Sequence, residues 1–231
     1  MGKLYETLIG AYRRLTPKFE TTWAEPFIDE PCVFIGNHSG AFGPIDMCAH
    51  FPFTKNCYSW LNHDVMDAKL VPAYVRQDYW WKPGCWAEPL LNVTLPYLAA
   101  AVMPPVLRSA PGIPVYHDQR VMLTMRQSIR HLKDGRYLII FPEQPSGYKS
   151  HHTWINTGFL HVAPLFYKAT GKALRFYPVH IDHRNHTFTI AGHCKCVTFK
   201  HGAANSLFAL IYHLCKSEKC LNTNNHLVHI Y

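Results

Sequence analysis

The stretch "LKDGRYLIIFPE", Leu132 to Glu143, carries a helix end, a turn and a buried strand in quick succession. Upstream of it, Val121, Met125, Ile129 and Leu132 recur at the spacing of one helix face. Gly135 then supplies the residue that commonly follows a helix end. Tyr137 to Phe141 is an unbroken apolar run too short for a helix. Such a run fits a strand covered on both faces, as in a parallel sheet. Pro142 and Glu143 follow at once, where the strand's carboxyl end opens into a loop.

The same alternation extends in both directions. Residues 3–16 form a weakly amphipathic helix, 32–36 a first strand and 44–51 a short helix opened by Pro44. Ile155, Phe159, Val162 and Phe166 repeat the helical period, with Pro164 expected to kink that helix and Gly171 to end it. "LRFYPVHI" (174–181) reads as a strand, "DHRNH" (182–186) as a turn, and "TFTIAG" and "CKCVTF" as strands after it. Leu207, Leu210, Ile211 and Leu214 mark a closing helix. Residues 55–111 are rich in Trp, Tyr and Pro and give no period, and "DYWWKPGCW" (78–86) reads as a loop. The expectation is an α/β fold: a single domain over 1–231, with a largely parallel central sheet flanked by helices. Its parts are an amino-terminal helical segment (1–29), a core (30–182) and closing strands and helix (183–231).

Composition narrows the function classes. With 48% hydrophobic and 16% charged residues, the chain is built for a packed core rather than disorder. A net charge of +8 and sixteen histidines favour anionic partners. Basic and aromatic residues do not interleave along one element, so no nucleic-acid partner is expected. The apolar run Leu90–Leu107 is interrupted by Asn92, Pro96, Pro104 and Pro105, so no membrane-spanning helix is expected. That segment is expected to be buried; an apolar surface is its other reading. The amino terminus has no apolar signal core, and Glu6 stands where a myristoylation signal wants Ser or Thr. A cytoplasmic location is therefore expected. The eight cysteines form no C-x-x-C pair, and "HCKC" (193–196) lacks the second ligand pair of a zinc site. Reduced thiols, no metal and no cofactor follow.

In parallel sheets the loops at the carboxyl ends of strands carry the site. Three loops qualify: "GNHSGAFGPID" (36–46), "PGIPVYHDQR" (111–120) and "FPEQPSGYK" (141–149). His38 follows a buried strand, and Asp46 opens the next helix. No serine or cysteine elbow accompanies them. A histidine and a carboxylate without a nucleophile suit general-base catalysis on a substrate hydroxyl. In that arrangement Asp46 holds the imidazole tautomer and stabilises the imidazolium.

Taken in order, "NHSGAFGPID" (37–46), "IPVYHDQR" (113–120), "FPEQPSG" (141–147) and "FYPVHI" (176–181) resemble the glycerolphosphate and lysophospholipid acyltransferase superfamily. The resemblance covers roughly residues 30–182, and "LKDGRYLIIFPE" is its most specific piece. The family spaces its histidine and aspartate more tightly than here, where seven residues lie between His38 and Asp46. The loop must therefore bulge, at Gly40 and Gly43. His117 and Ser146 stand where the family's phosphate-gripping arginines are usual.

The resemblance implies an O-acyltransferase. Its acyl group comes from acyl-CoA or acyl-carrier protein and goes to a lysophospholipid or glycerol-phosphate-type acceptor, with His38 as general base and Asp46 orienting it. By resemblance Asn37, Glu143 and Gln144 help shape the substrate pocket. Arg120 and Lys149 take over the phosphate grip with His117 and Ser146. The implied partners are the acyl donor, the lysophospholipid and a membrane surface, on which the protein is peripheral. An acyl thioesterase and a non-catalytic lipid-binding protein with a decayed site are the competing readings.

Overall fold

The computed structural model describes residues 2–38, 42–77, 84–144 and 154–197. Its helices, in chain order, are α1 (Lys3–Leu15), α2 (Gly43–His50), α3 (Val71–Gln77), α4 (Glu88–Ser109), α5 (Val121–Lys133) and α6 (Val162–Thr170). The strands are β1 (Glu20–Trp23), β2 (Cys32–Gly36), β3 (Cys57–Asn62), β4 (Gly112–Val115), β5 (Tyr137–Ile140), β6 (Glu143–Gln144), β7 (Trp154–Ile155), β8 (Leu174–Asp182), β9 (Thr187–Ile190) and β10 (Cys194–Cys196).

All five residues of β2 are buried, and their alternation splits the core in two. Val33 and Ile35 face Met125 and Leu132 of α5 and Val162 and Phe166 of α6. Cys32 and Phe34 face Met47 of α2, with Phe51, Tyr177 and an aromatic layer of Phe27 and Phe53. This two-sided burial is why β2 and β5 read as unbroken apolar runs. The main sheet runs β1-β9-β8-β2-β5-β3-β4, with β10 also paired to β8. β2 lies parallel to both β5 and β8, and β3 parallel to β5 and β4. β9 and β10 return antiparallel along β8. The α/β class and the mostly parallel sheet thus agree with the sequence reading.

Four details differ from it. The stretch 111–120 contains strand β4, whose Pro114 is tolerated because β4 is the sheet edge. The featureless region 55–111 holds β3, α3 and α4. Ile155 belongs to the short ribbon β6–β7 rather than to a helix. Helix α6 starts at Val162, so Pro164 falls in its first turn, where a missing N–H breaks no helical bond, instead of kinking it.

The segment expected to be buried differs as well. Leu90–Leu107 lies within one helix, α4, which is long and apolar enough by length and composition to cross a membrane. It is mostly uncovered: Leu90 and Val93 are each 63% exposed and Leu98 is 62% exposed. The closing helix expected at 207–214 and most of "DYWWKPGCW" lie outside the described residues.

Candidate active site

β2 and β8 are neighbouring parallel strands in register, Gly36 beside Val179. Beyond that pair, the buried Asn37 side chain joins the two chain ends. Its Nδ2 donates to the Ile181 carbonyl at 3.1 Å, and its Oδ1 accepts from the Ile181 N–H at 2.7 Å. Asn37, expected in the substrate pocket, thus spends its amide on closing the sheet. His38 and His183 follow at the carboxyl edge, on adjacent strand ends.

Helix α2 starts hard against this edge. A side chain on Gly43 would overlap the His38 carbonyl, so only glycine lets the helix pack there. Gly43 is one of the two positions expected to shape the loop; Gly40 lies outside the described residues. The close start places Asp46 in the first turn of α2, with 0% exposure.

The Asp46 carboxylate has two described partners. Its Oδ1 accepts from the Tyr12 hydroxyl of α1 at 2.7 Å, and its Oδ2 pairs with Nδ1 of His183 at 2.7 Å. Burial, and then the bond to Asp46, push the Tyr12 hydroxyl upward, which keeps it a donor. The imidazole resting on the carboxylate is therefore His183, a residue the His38–Asp46 spacing did not point to. The available signal was positional: like His38, it follows directly on a buried strand.

His38 itself is tied by its backbone. Its N–H donates to Oε2 of Glu143 at 2.6 Å, and its ring centroid lies 5.3 Å from that of Phe141. Glu143 thus caps the amide at the β2 end. Burial pushes the Glu143 carboxyl upward, and the His38 amide offsets part of that rise. A carboxyl raised on folding loses stability as pH climbs from its ordinary value of about 4.3 to its folded one. Glu143→Gln keeps an acceptor for the amide without the buried charge. Its denaturation midpoint is expected to exceed that of the parent at pH 8, with the gain shrinking toward pH 4. Equal loss of stability at both ends of that range would contradict this account.

The second block stands apart. β4 is three strands from β2, roughly 14 Å at the usual strand spacing. His117 and Arg120 are exposed there. The Arg120 guanidinium forks onto Asp118, with Nη2 donating to Oδ2 at 2.7 Å, and lies over the Tyr116 ring at 4.4 Å. This fork holds the Asp118 carboxyl down at about 2. Gln144 sits in the β6–β7 ribbon, while Ser146 and Lys149 lie outside the described residues. The structure thus brings together Asn37, His38, Asp46 and Glu143, and adds His183 and Tyr12. It does not bring Arg120 or His117 to them. Among the described residues, no cluster of three metal-ligating side chains occurs.

No family model matches the sequence, and no curated protein matches it. Among solved structures, the chain is similar to the crystal structure of the 1-acyl-sn-glycerophosphate (LPA) acyltransferase PlsC from Thermotoga maritima. The two share a TM-score of 0.52 and 12% identity over 96% of this chain and 81% of that one. The chain has the fold of that acyltransferase.

Proposed function

We propose that the protein is an O-acyltransferase that moves a fatty acyl group from acyl-CoA or acyl-carrier protein to a lysophospholipid or glycerol-phosphate-type acceptor. The observation that carries this reading is the buried Asp46 carboxylate, paired with the imidazole of His183 at the carboxyl edge of an acyltransferase-like sheet. A histidine at this edge takes the acceptor's hydroxyl proton as its oxygen attacks the thioester; His38 is the one that the family resemblance marks. An acceptor phosphate at Arg120 would share its guanidinium with Asp118, which already takes Nε and Nη2. Purified full-length protein, radiolabelled acyl-CoA and vesicles containing 1-acyl-glycerol-3-phosphate provide the test. Labelled phospholipid that depends on the acceptor supports the reading. Labelled free fatty acid alone turns it toward a thioesterase, and no labelled product toward a lipid-binding protein.

Such an acceptor lives in a bilayer, and the protein has a surface to meet one. The amino end of α1 is bonded to the carboxyl end of α4, through Gly2 N–H to the Ser109 carbonyl at 2.8 Å. Both helices carry uncovered apolar residues: Leu4 and Leu8 on α1, and Leu90, Val93, Leu98 and Val102 on α4. Trp86, just before α4, is 95% exposed. Each fully buried side chain of this size adds about 1.5–3 kcal/mol. Replacing Leu90, Val93 and Leu98 together with serine is expected to reduce flotation with anionic vesicles at least about tenfold, the equivalent of 1.4 kcal/mol. Unchanged flotation would remove α4 from the membrane contact.

A further inference from the structure

We infer that His183, rather than His38, accepts the proton from the acceptor hydroxyl, as the outer member of a Tyr12–Asp46–His183 chain. The inference rests on the acyl-transfer reading above and concerns which imidazole serves it.

The carboxylate decides the matter. An orienting carboxylate must be desolvated, fixed and bonded to one ring nitrogen, leaving the other nitrogen for the substrate. Asp46 meets the first two demands: it has no exposure, and Tyr12 holds its Oδ1. It meets the third with Nδ1 of His183. An ionised carboxylate only accepts hydrogen bonds, so the shared proton belongs on Nδ1 and the neutral ring keeps its lone pair on Nε2.

The ring is held as well as paired. It stacks on Phe42 with centroids 4.7 Å apart and planes 9° from parallel, and the His186 ring stands edge-on at 6.2 Å. The turn that carries it is fixed by the Asp182 carboxylate, which accepts from the N–H groups of Arg184 and Asn185 at 2.9 and 3.0 Å. The carboxylate is fully enclosed, but the His183 side chain is 36% exposed, so the ring can be reached from outside. The sheet register sets His183 at the same edge as His38, through the Asn37–Ile181 clasp.

The step balances without any further reagent. Nε2 of His183 takes the hydroxyl proton while the acceptor oxygen forms its bond to the thioester carbonyl carbon. Collapse of the tetrahedral species breaks the carbon–sulfur bond. The imidazolium then returns the proton to the departing thiolate. Asp46 and Tyr12 touch no substrate and act as positioning residues.

The test compares wild type, His183→Gln, His183→Ala and His38→Ala in the labelled transfer assay, with imidazole proton NMR on the same proteins. Both His183 variants are expected to lose about 10²–10⁴-fold in kcat, with the KM for acyl-CoA unchanged. The wild-type spectrum is expected to show a far-downfield Nδ1 proton that His183→Gln and Asp46→Asn both remove. An active wild type whose kcat survives both His183 substitutions but falls in His38→Ala overturns the inference and leaves the acyl-transfer reading standing. An inactive wild type that still shows the downfield proton overturns the acyl-transfer reading, and with it the role given to His183. Absence of that proton from the wild type overturns the pairing itself.

Discussion

Asp46→Asn is expected to lower kcat by about 10⁴-fold, the cost that the same change brings to the orienting aspartate of a serine-protease triad. The geometry gives the reason. The Tyr12 hydroxyl donates to Oδ1 of Asp46, and an asparagine that keeps this bond holds its carbonyl there. Its amide nitrogen would then turn toward Nδ1 of His183, in place of the carboxylate oxygen now 2.7 Å away. An amide donor there forces the ring proton onto Nε2, and the base is lost while the shape remains. Because asparagine is nearly isosteric, circular dichroism and the melting temperature should stay close to those of the parent. A variant that folds normally and keeps full turnover would remove Asp46 from the chemistry.

The second large effect is on stability. Phe34 lies at the centre of β2 with 0% exposure, between the Phe51 ring at 4.9 Å and the Tyr177 ring at 5.6 Å. Phe27, Phe53 and Tyr137 complete its surroundings. Interlocked rings of this kind cannot collapse into the space left by a truncated neighbour. Phe34→Ala is therefore expected to cost about 3–5 kcal/mol. In urea the midpoint should fall while the slope holds. The surface change Leu123→Ala, at a side chain 43% exposed, should stay within about 0.5 kcal/mol of the parent. A similar loss in both would mean that the aromatic layer is not the centre of the core.

The elements legible in the sequence were those whose burial leaves a period. β2 and β5 are covered on both faces and read as unbroken runs, and α5 buries one face and shows it as a repeat. α4 was illegible for the opposite reason. It is apolar nearly all round and contains Pro96, Pro104 and Pro105, so neither period nor composition marks it as one helix. β4 was hidden by Pro114, which an edge strand tolerates. In the site, His38, Asp46 and Glu143 stood in recognisable loops, and the structure gathers them at one edge. The Asp46–His183 contact spans 137 positions and is made by strand register, which no local spacing encodes. Tyr12 was equally out of reach, because it joins the site only through the docking of α1.

That docking makes the amino-terminal helix part of the Asp46 site. Trimming the protein behind residue 15 would take away the hydroxyl that holds Asp46 Oδ1 and open a carboxylate that is now sealed. A shortened preparation made for convenience would then imitate an Asp46 mutant, and its silence in an assay would say nothing about the intact protein.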